Sequence, residues 1–256
     1  MTTASLFDLT GKVALVTGGS RGIGRALVEG FAAAGADVVV VSRKFDACKQ
    51  TADEVSAATG RRIVPIAGHM GKWDECNRVV DEVYAQLGKV DILVNNAGMS
   101  PLYPDLDSVT EEYFDKVVGV NLKGPFRLGA AIGTRMAAGD GGSIINISSI
   151  GSLRPGAQAL VYSAAKAGLN ALTIGLAEAF GPTVRSNGIL PGGVLTDIAE
   201  SWTEEETAVR TQHIPLRRGG TPADFVGTAL WLAGDASAWI TGELVRVDGG
   251  AYRQMS

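Results

Sequence analysis

The sequence predicts an α/β protein built on one doubly wound parallel sheet, with helices on both faces. Two observations predict it. Short runs that are apolar at nearly every position, such as Ala36 to Ser42 (ADVVVVS), recur along the chain, and strands apolar on both sides must be covered on both sides. Stretches with helical periodicity alternate with them, which is the order of a parallel sheet. Right-handed crossovers then wind such a chain outward in both directions. The 256 residues contain no linker, repeat or low-complexity segment, so one domain spanning residues 1–256 is expected.

Each element follows in order. The first strand, Lys12 to Thr17, runs into Gly18-Gly19-Ser20-Arg21-Gly22-Ile23-Gly24, and a helix is expected from Arg25 to Ala34, stopped by Gly35. Ala36 to Ser42 is the second strand and Phe45 to Thr59 the second helix. Strand Ile63 to Ala67, helix Trp73 to Leu87 and strand Val90 to Val94 come next, ending in Asn95-Asn96-Ala97-Gly98. Met99 to Thr110 holds two prolines and reads as irregular. Helices are expected at Glu111 to Val120 and Lys123 to Ala138, then strand Ser143 to Ile147 and a helix through Tyr162. Strand Val184 to Leu190 ends in Pro191-Gly192-Gly193. Val194 to Gly220 is irregular, with helical character around Glu204 to Gln212. Helix Pro222 to Ala233 and strand Leu244 to Val247 complete the sheet, before Asp248-Gly249-Gly250.

Bulk properties exclude several functions. A net charge of −4 with both signs interspersed argues against nucleic acid or an anionic membrane as partner. Cys48 and Cys76 lack metal-ligand spacing and fit a reducing, cytoplasmic setting. No apolar run approaches the roughly 20 residues of a membrane span, and Met1 to Asp8 does not read as a signal peptide. His69 and His213 have no ligand-like neighbours, so no catalytic metal is expected.

The chemistry concentrates between Ser149 and Lys166. Tyr162 and Lys166 stand at i and i+4 on one helical face. A tyrosine has a pKa of about 10, and a nearby ammonium favours its phenolate and brings it towards neutrality. Ser149 closes a buried strand at the mouth of the sheet. Serine, tyrosine and lysine suit carbonyl/alcohol chemistry: one polarises the oxygen, one moves a proton, one tunes it. The glycine turn after the first strand is a phosphate site, because Gly18, Gly22 and Gly24 let backbone N–H groups and a helix N-terminus approach a pyrophosphate.

Thr17-Gly18-Gly19-Ser20-Arg21-Gly22-Ile23-Gly24, Asn95-Asn96-Ala97-Gly98, Asn121, Ser149, Tyr162-x-x-x-Lys166 and Pro191-Gly192 together resemble the short-chain dehydrogenase/reductase family, in its branch of about 250 residues. The resemblance implies a Rossmann-type sheet of seven parallel strands. It also implies that Tyr162 is the general acid for ketone reduction and the base in reverse. Lys166 would hold the nicotinamide ribose, Ser149 the substrate oxygen, and Asn121 a water continuing a proton path. Gly18, Ser20, Arg21, Gly22, Ile23 and Gly24 would cradle the cofactor. Asn95, Ala97 and Gly98 would line its crevice, while Pro191, Gly192, Val194 and Thr196 would meet the nicotinamide end. Ser148 and Ser163 read as packing neighbours.

After the third strand the family usually has an acidic residue at the adenine. This chain has Ala67-Gly68-His69-Met70-Gly71, so His69 or the Met70 backbone is expected there. An Asp or Glu that reads a ribose 2′-hydroxyl is missing from the end of the second strand, where Ser42, Arg43 and Lys44 stand. Arg43 with Arg21 offers guanidinium groups to a 2′-phosphate, so NADP(H) is the expected cofactor. Met99, Ser100, Leu102, Tyr103, Leu153, Gly193, Leu195, Ile198 and Trp202 are pocket candidates. That mostly apolar set suits a neutral or hydrophobic carbonyl better than a sugar acid.

The expected function is NADP(H)-dependent oxidoreduction of a small, free carbonyl/alcohol substrate. The alternatives are a reductase of 3-oxoacyl groups on acyl carrier protein or coenzyme A, and a catalytically silent cofactor-binding regulator or scaffold. Carrier proteins are acidic, and the helix after Lys166 has no basic residue before Arg185. That helix is apolar nearly all round, with Leu169, Leu172, Leu176 and Phe180 on one side and Gly168, Ala171 and Gly175 on another. A homo-oligomer, a tetramer by resemblance, is therefore expected.

Overall fold

A computed structural model describes residues 4–194, Thr203 and 211–252. Seven strands form one sheet: β1 (Val13–Thr17), β2 (Asp37–Ser42), β3 (Ile63–Ala67), β4 (Ile92–Asn95), β5 (Gly142–Ile147), β6 (Val184–Pro191) and β7 (Leu244–Val247). Their order is β3-β2-β1-β4-β5-β6-β7, and every pairing is parallel. The doubly wound architecture read from the sequence is the one observed.

Alternation along the strands divides the core into two layers. Ala14, Val16, Val38, Val40, Val94 and Ile145 point to the face covered by α1 (Gly22–Ala33), α2 (Phe45–Thr59) and α7 (Val226–Ala233). Leu15, Val39, Val41, Leu93 and Ile144 point to the other, covered by α3 (Trp73–Leu87) and α5 (Gly124–Ala137). α4 (Glu111–Val118) precedes α5, and α6 (Leu160–Phe180) packs along β6.

The direction in which the chain winds across the sheet reverses between β1 and β4, which opens a crevice at their carboxyl ends. Thr17 and Asn96 hold its two banks together. Thr17 Oγ1 donates to Val94 O and accepts from the N–H groups of Asn96 and Ala97, each at 3.0 Å. Asn96 Nδ2 returns a bond to Thr17 O at 2.9 Å.

Several boundaries depart from the sequence expectation for physical reasons. α1 begins at Gly22, not Arg25, so Gly22 and Gly24 form its first turn. β4 begins two residues late, at Ile92, and the preceding Asp91 carboxylate accepts from Val13 N–H of β1 at 2.8 Å and pairs with Lys89. The helices expected at 111–120 and 123–138 are joined through a π-helical turn, Gly119–Lys123, that carries Asn121. The segment Ala157–Phe180 reaches the length and mean hydropathy (1.2) of a membrane span, contrary to the expectation that none would. Its buried Lys166, Asn170 and Thr173 face the sheet, the position of a core helix. The helical stretch around 204–212 lies mostly outside the described residues.

Candidate active site

The glycine turn has the shape of a phosphate cradle. Gly18 and Gly22 adopt left-handed φ values of 66° and 54°, open to glycine at little cost. A Cβ on Gly24 would overlap Gly18 O, and one on Gly18 would stand 2.8 Å from Asn96 Nδ2. Above Gly22 there is open space. Arg21 caps α1 without any side-chain hydrogen bond, so the first-turn N–H groups of Gly22, Ile23 and Gly24 are left for an anion. The turn therefore fits a dinucleotide pyrophosphate.

At the end of β2, Arg43 and Lys44 are exposed, as are Arg21 and Gly22 in the glycine turn. Arg25 is spent on Glu29 and Glu54, whereas among the described residues no ion pair engages Arg21 or Arg43. Ser42 is half-buried, its hydroxyl 3.0 Å from Cys48 Sγ. His69 is also half-buried. Its Nδ1 accepts from Gly71 N–H at 3.1 Å, which leaves Nε2 as the donor of the neutral ring. Met70 buries its side chain in the core, so only its backbone could meet an adenine.

Gly98, Asn121, Lys166, Tyr162 and Ser149 converge. A Cβ on Gly98 would lie 3.0 Å from Asn121 Oδ1 and 3.6 Å from Lys166 Nζ. Lys166 Nζ stands 5.8 Å from the Tyr162 ring centre and donates to Ile147 O at 2.8 Å. Asn121 is fully buried and commits its amide to Met99 N–H, Met99 O and Val117 O. Its visible work is to clamp the chain after Gly98. Ser149 Oγ accepts from Gly151 N–H at 3.0 Å, which leaves its own proton to donate.

Protonation differs from the sequence expectation. Burial raises the Tyr162 phenol above its ordinary value, and the hydrogen bond with Ser149 opposes that rise. Lys166 is not among the groups that bring Tyr162 down, and burial pushes its own ammonium from 10.5 to about 7.

Two other expected residues are placed differently. Asn95 turns away from the crevice: its Nδ2 donates to Asn146 Oδ1 at 2.9 Å, and its Oδ1 is buried without a partner. Strand alternation gives Asn95 the inner face, while Ala97 and Gly98 stay at the crevice. Tyr103 is buried and is not a pocket wall. Its hydroxyl donates to Ala157 O and accepts from Leu160 N–H, both at 2.8 Å, tying the 99–110 segment to the start of α6. Leu102, Leu153 and Ser100 are exposed, and Met99 is half-buried. At the far side β6 ends at Pro191, Gly192 packs on Asp248, and Val194 bridges to Gly220. Leu195, Thr196, Ile198 and Trp202 fall outside the described residues. Sequence reading quoted Thr17 and Asn96 within motifs without a role and passed over Asn170. Asn170 was detectable, one helical turn beyond Lys166.

A pyrophosphate cradle at the switch point, with a serine, a tyrosine and a lysine beside it, defines a dinucleotide-dependent oxidoreductase. The family model for short chain dehydrogenases matches residues 12–207, and the chain belongs to that family. It is 37% identical over 251 residues to the L-rhamnose 1-dehydrogenase (NAD(P)(+)) of a Sphingomonas species, covering 95% of this chain and 97% of that one. It is 35% identical over 243 residues to a 3-oxoacyl-[acyl-carrier-protein] reductase of Chlamydia trachomatis, covering 94% and 98%. A solved structure from Beutenbergia cavernae, provisionally assigned as an NAD(P)-dependent gluconate 5-dehydrogenase and carrying NADP at low occupancy, superposes with a TM-score of 0.90. That chain is 35% identical, with 96% of this chain and 98% of that one covered.

Burying Lys166 makes stability pH-dependent. Its folded pKa lies below its unfolded one, so the unfolded chain takes up the proton first as pH falls from 10.5 towards about 7. Stability present above that window is lost through it. Lys166→Met is therefore expected to raise Tm relative to wild type more at about pH 6 than at about pH 10. Thermal unfolding of both proteins across that range checks this, and an equal effect at both ends would contradict it.

Proposed function

We propose that the protein transfers a hydride between NADP(H) and a small, free carbonyl/alcohol substrate. The observation that carries this is the convergence of Ser149, Tyr162 and Lys166 beside the glycine turn. The nicotinamide supplies or accepts the hydride when bound. Tyr162 protonates the carbonyl oxygen in reduction and takes the proton back in oxidation. Ser149 donates its free hydroxyl proton to the same oxygen. Lys166 would hold the ribose hydroxyls, and a water path beyond it would run past Asn121. Ser20, Ile23, Ala97 and Pro191 would complete the cofactor surround. A complete proton-transfer set favours an enzyme over a silent scaffold.

Unspent Arg21 and Arg43, with no carboxylate at the end of β2, support NADP(H) over NAD(H). Free substrates are favoured over carrier-bound ones because three basic residues that could meet an acidic carrier are committed elsewhere. Arg127 bonds Asn77 and lies over Trp73, Arg135 pairs with Asp81, and Arg218 pairs with Asp224. A second reading, oxidation of a free sugar, is favoured by the name of the Sphingomonas relative. The deciding experiment is a kcat/KM panel of free ketones, alcohols, sugars and acetoacetyl carrier protein, each with NADP(H) and NAD(H). Free substrates with NADP(H) are expected to lead. Comparable rates with both cofactors, or a salt-sensitive preference for the carrier, would overturn the respective part.

Tyr162→Phe is expected to lower kcat by about 10²–10⁴-fold, the usual worth of general acid–base catalysis, with cofactor affinity nearly unchanged. Near-wild-type turnover would disprove the assignment.

The same reading includes a homo-oligomer, proposed as a tetramer. A shallow apolar groove of about 330 Å³ runs between Val118, Leu122 and Phe126 on one side and Gly168 and Leu172 on the other. Ile174 is 52% exposed on α6, and Trp239, near the β7 edge of the sheet, is 99% exposed. Apolar groups on two separate surfaces support two kinds of contact. Sedimentation at micromolar concentration is expected to give an oligomer, and a stable active monomer would refute it.

A further inference from the structure

Tyr162, Lys166 and Asn170 follow at i, i+4 and i+8 along α6, so Asn170 extends the same face by one turn. It is 8% exposed. Its amide spans the turn that carries Ser149. Asn170 Oδ1 accepts from Ser148 Oγ at 2.6 Å, and Nδ2 donates to Ser152 Oγ at 2.8 Å. Ser152 Oγ in turn donates to Ser149 O, and Ser148 Oγ also lies 3.2 Å from Lys166 O.

The donor pattern admits one orientation of the amide. Ser152 has given its only hydroxyl proton to Ser149 O and can only accept from Asn170. The amide nitrogen must therefore face Ser152, and Ser148 must donate to the amide oxygen. A carboxylate or an apolar side chain cannot satisfy both ends. Few other ties hold this turn. Ser148 N–H reaches Ile189 O at its start, but the bonds from Ser152, Leu153 and Arg154 N–H are local, and Leu153 and Arg154 are exposed.

We propose that Asn170 is a positioning residue for Ser149, its amide pinning the Ser148–Ser152 turn in register with Tyr162 and Lys166. This rests on the oxidoreductase reading for its purpose, though not for its geometry. When the pin is lost, Ser149 drifts from Tyr162 and the hydrogen bond that opposes the rise in the phenol's pKa weakens.

The test needs no substrate. Phenolate absorbance is titrated in wild type and in each variant, and the matching Tyr162→Phe protein is subtracted to isolate Tyr162. Asn170→Ala is expected to move the Tyr162 titration to higher pH, as Ser149→Ala does, and to add nothing in the Ser149→Ala background. Ser152→Ala should shift it the same way, while Ser152→Thr, which keeps the hydroxyl, should restore wild-type behaviour. With an active substrate in hand, Asn170→Ala is expected to lower kcat by about tenfold. An unchanged titration in both Asn170→Ala and Ser152→Ala, or additive shifts with Ser149→Ala, would overturn the proposal. Should Asn170→Ala fail to fold, Ser152→Ala, at a half-buried loop position, decides alone. Wild-type protein that turns over no carbonyl would count against the oxidoreductase reading, not against this one.

Discussion

A fully desolvated lysine is the constraint around which the site is arranged. Lys166 reaches Ile147 O at the end of β5, and burial holds its ammonium near neutrality. A buried charge is costly unless something partners it. The surrounding elements supply that partner in a restricted way. β5 must end where a carbonyl is left over, α6 must lie close enough for the side chain to reach it, and Gly98 leaves open the space where a Cβ would crowd Asn121 Oδ1, beside Nζ. Each of these conditions also shapes the crevice. The readiness of Lys166 to lose or gain a proton follows from the same burial that the fold has to sustain.

The sheet-facing side of α6 answers that constraint with further polar groups. Ser148, Asn170 and Ser152 form one chain of hydrogen bonds, and Asn95, Asn146 and Thr173 another. Buried polar groups are tolerated when paired. Pairing also specifies geometry, since a hydrogen bond has one good distance where an apolar contact has many. Beside the crevice the fold uses directional bonds, and deeper in the sheet it relies on Val, Ile and Leu packed on both faces. The outward side of α6 carries small and apolar residues such as Ala171, Ile174 and Gly175, an unusual surface for a chain on its own.

Much of this was legible in the sequence. Runs such as Ala36 to Ser42 can only be strands covered twice, and Tyr162 and Lys166 declare their shared face through helical spacing alone. The glycine turn was equally plain, although its helix starts earlier than the residue pattern suggests. Other assignments failed because they depend on what a side chain meets across the chain. Tyr103 looked like a pocket wall, yet its hydroxyl is drawn to Ala157 and Leu160, 54 and 57 residues away. Asn95 looked like a crevice residue, yet it faces Asn146 in the neighbouring strand.

By itself the sequence determined the order and kind of the elements, the parallel sheet, the phosphate turn and the spacing of the serine, tyrosine and lysine. Those features are local: they follow from periodicity, glycine and i, i+4 geometry, and need no knowledge of distant contacts. Tertiary structure alone decided the protonation balance of Tyr162 and Lys166, the inward turn of Asn95, the clamp of Asn121 on Met99, and the bonds of Asn170 to Ser148 and Ser152. Desolvation and hydrogen bonding between residues far apart in sequence exist only once β5, α6 and the segment after Gly98 are packed together.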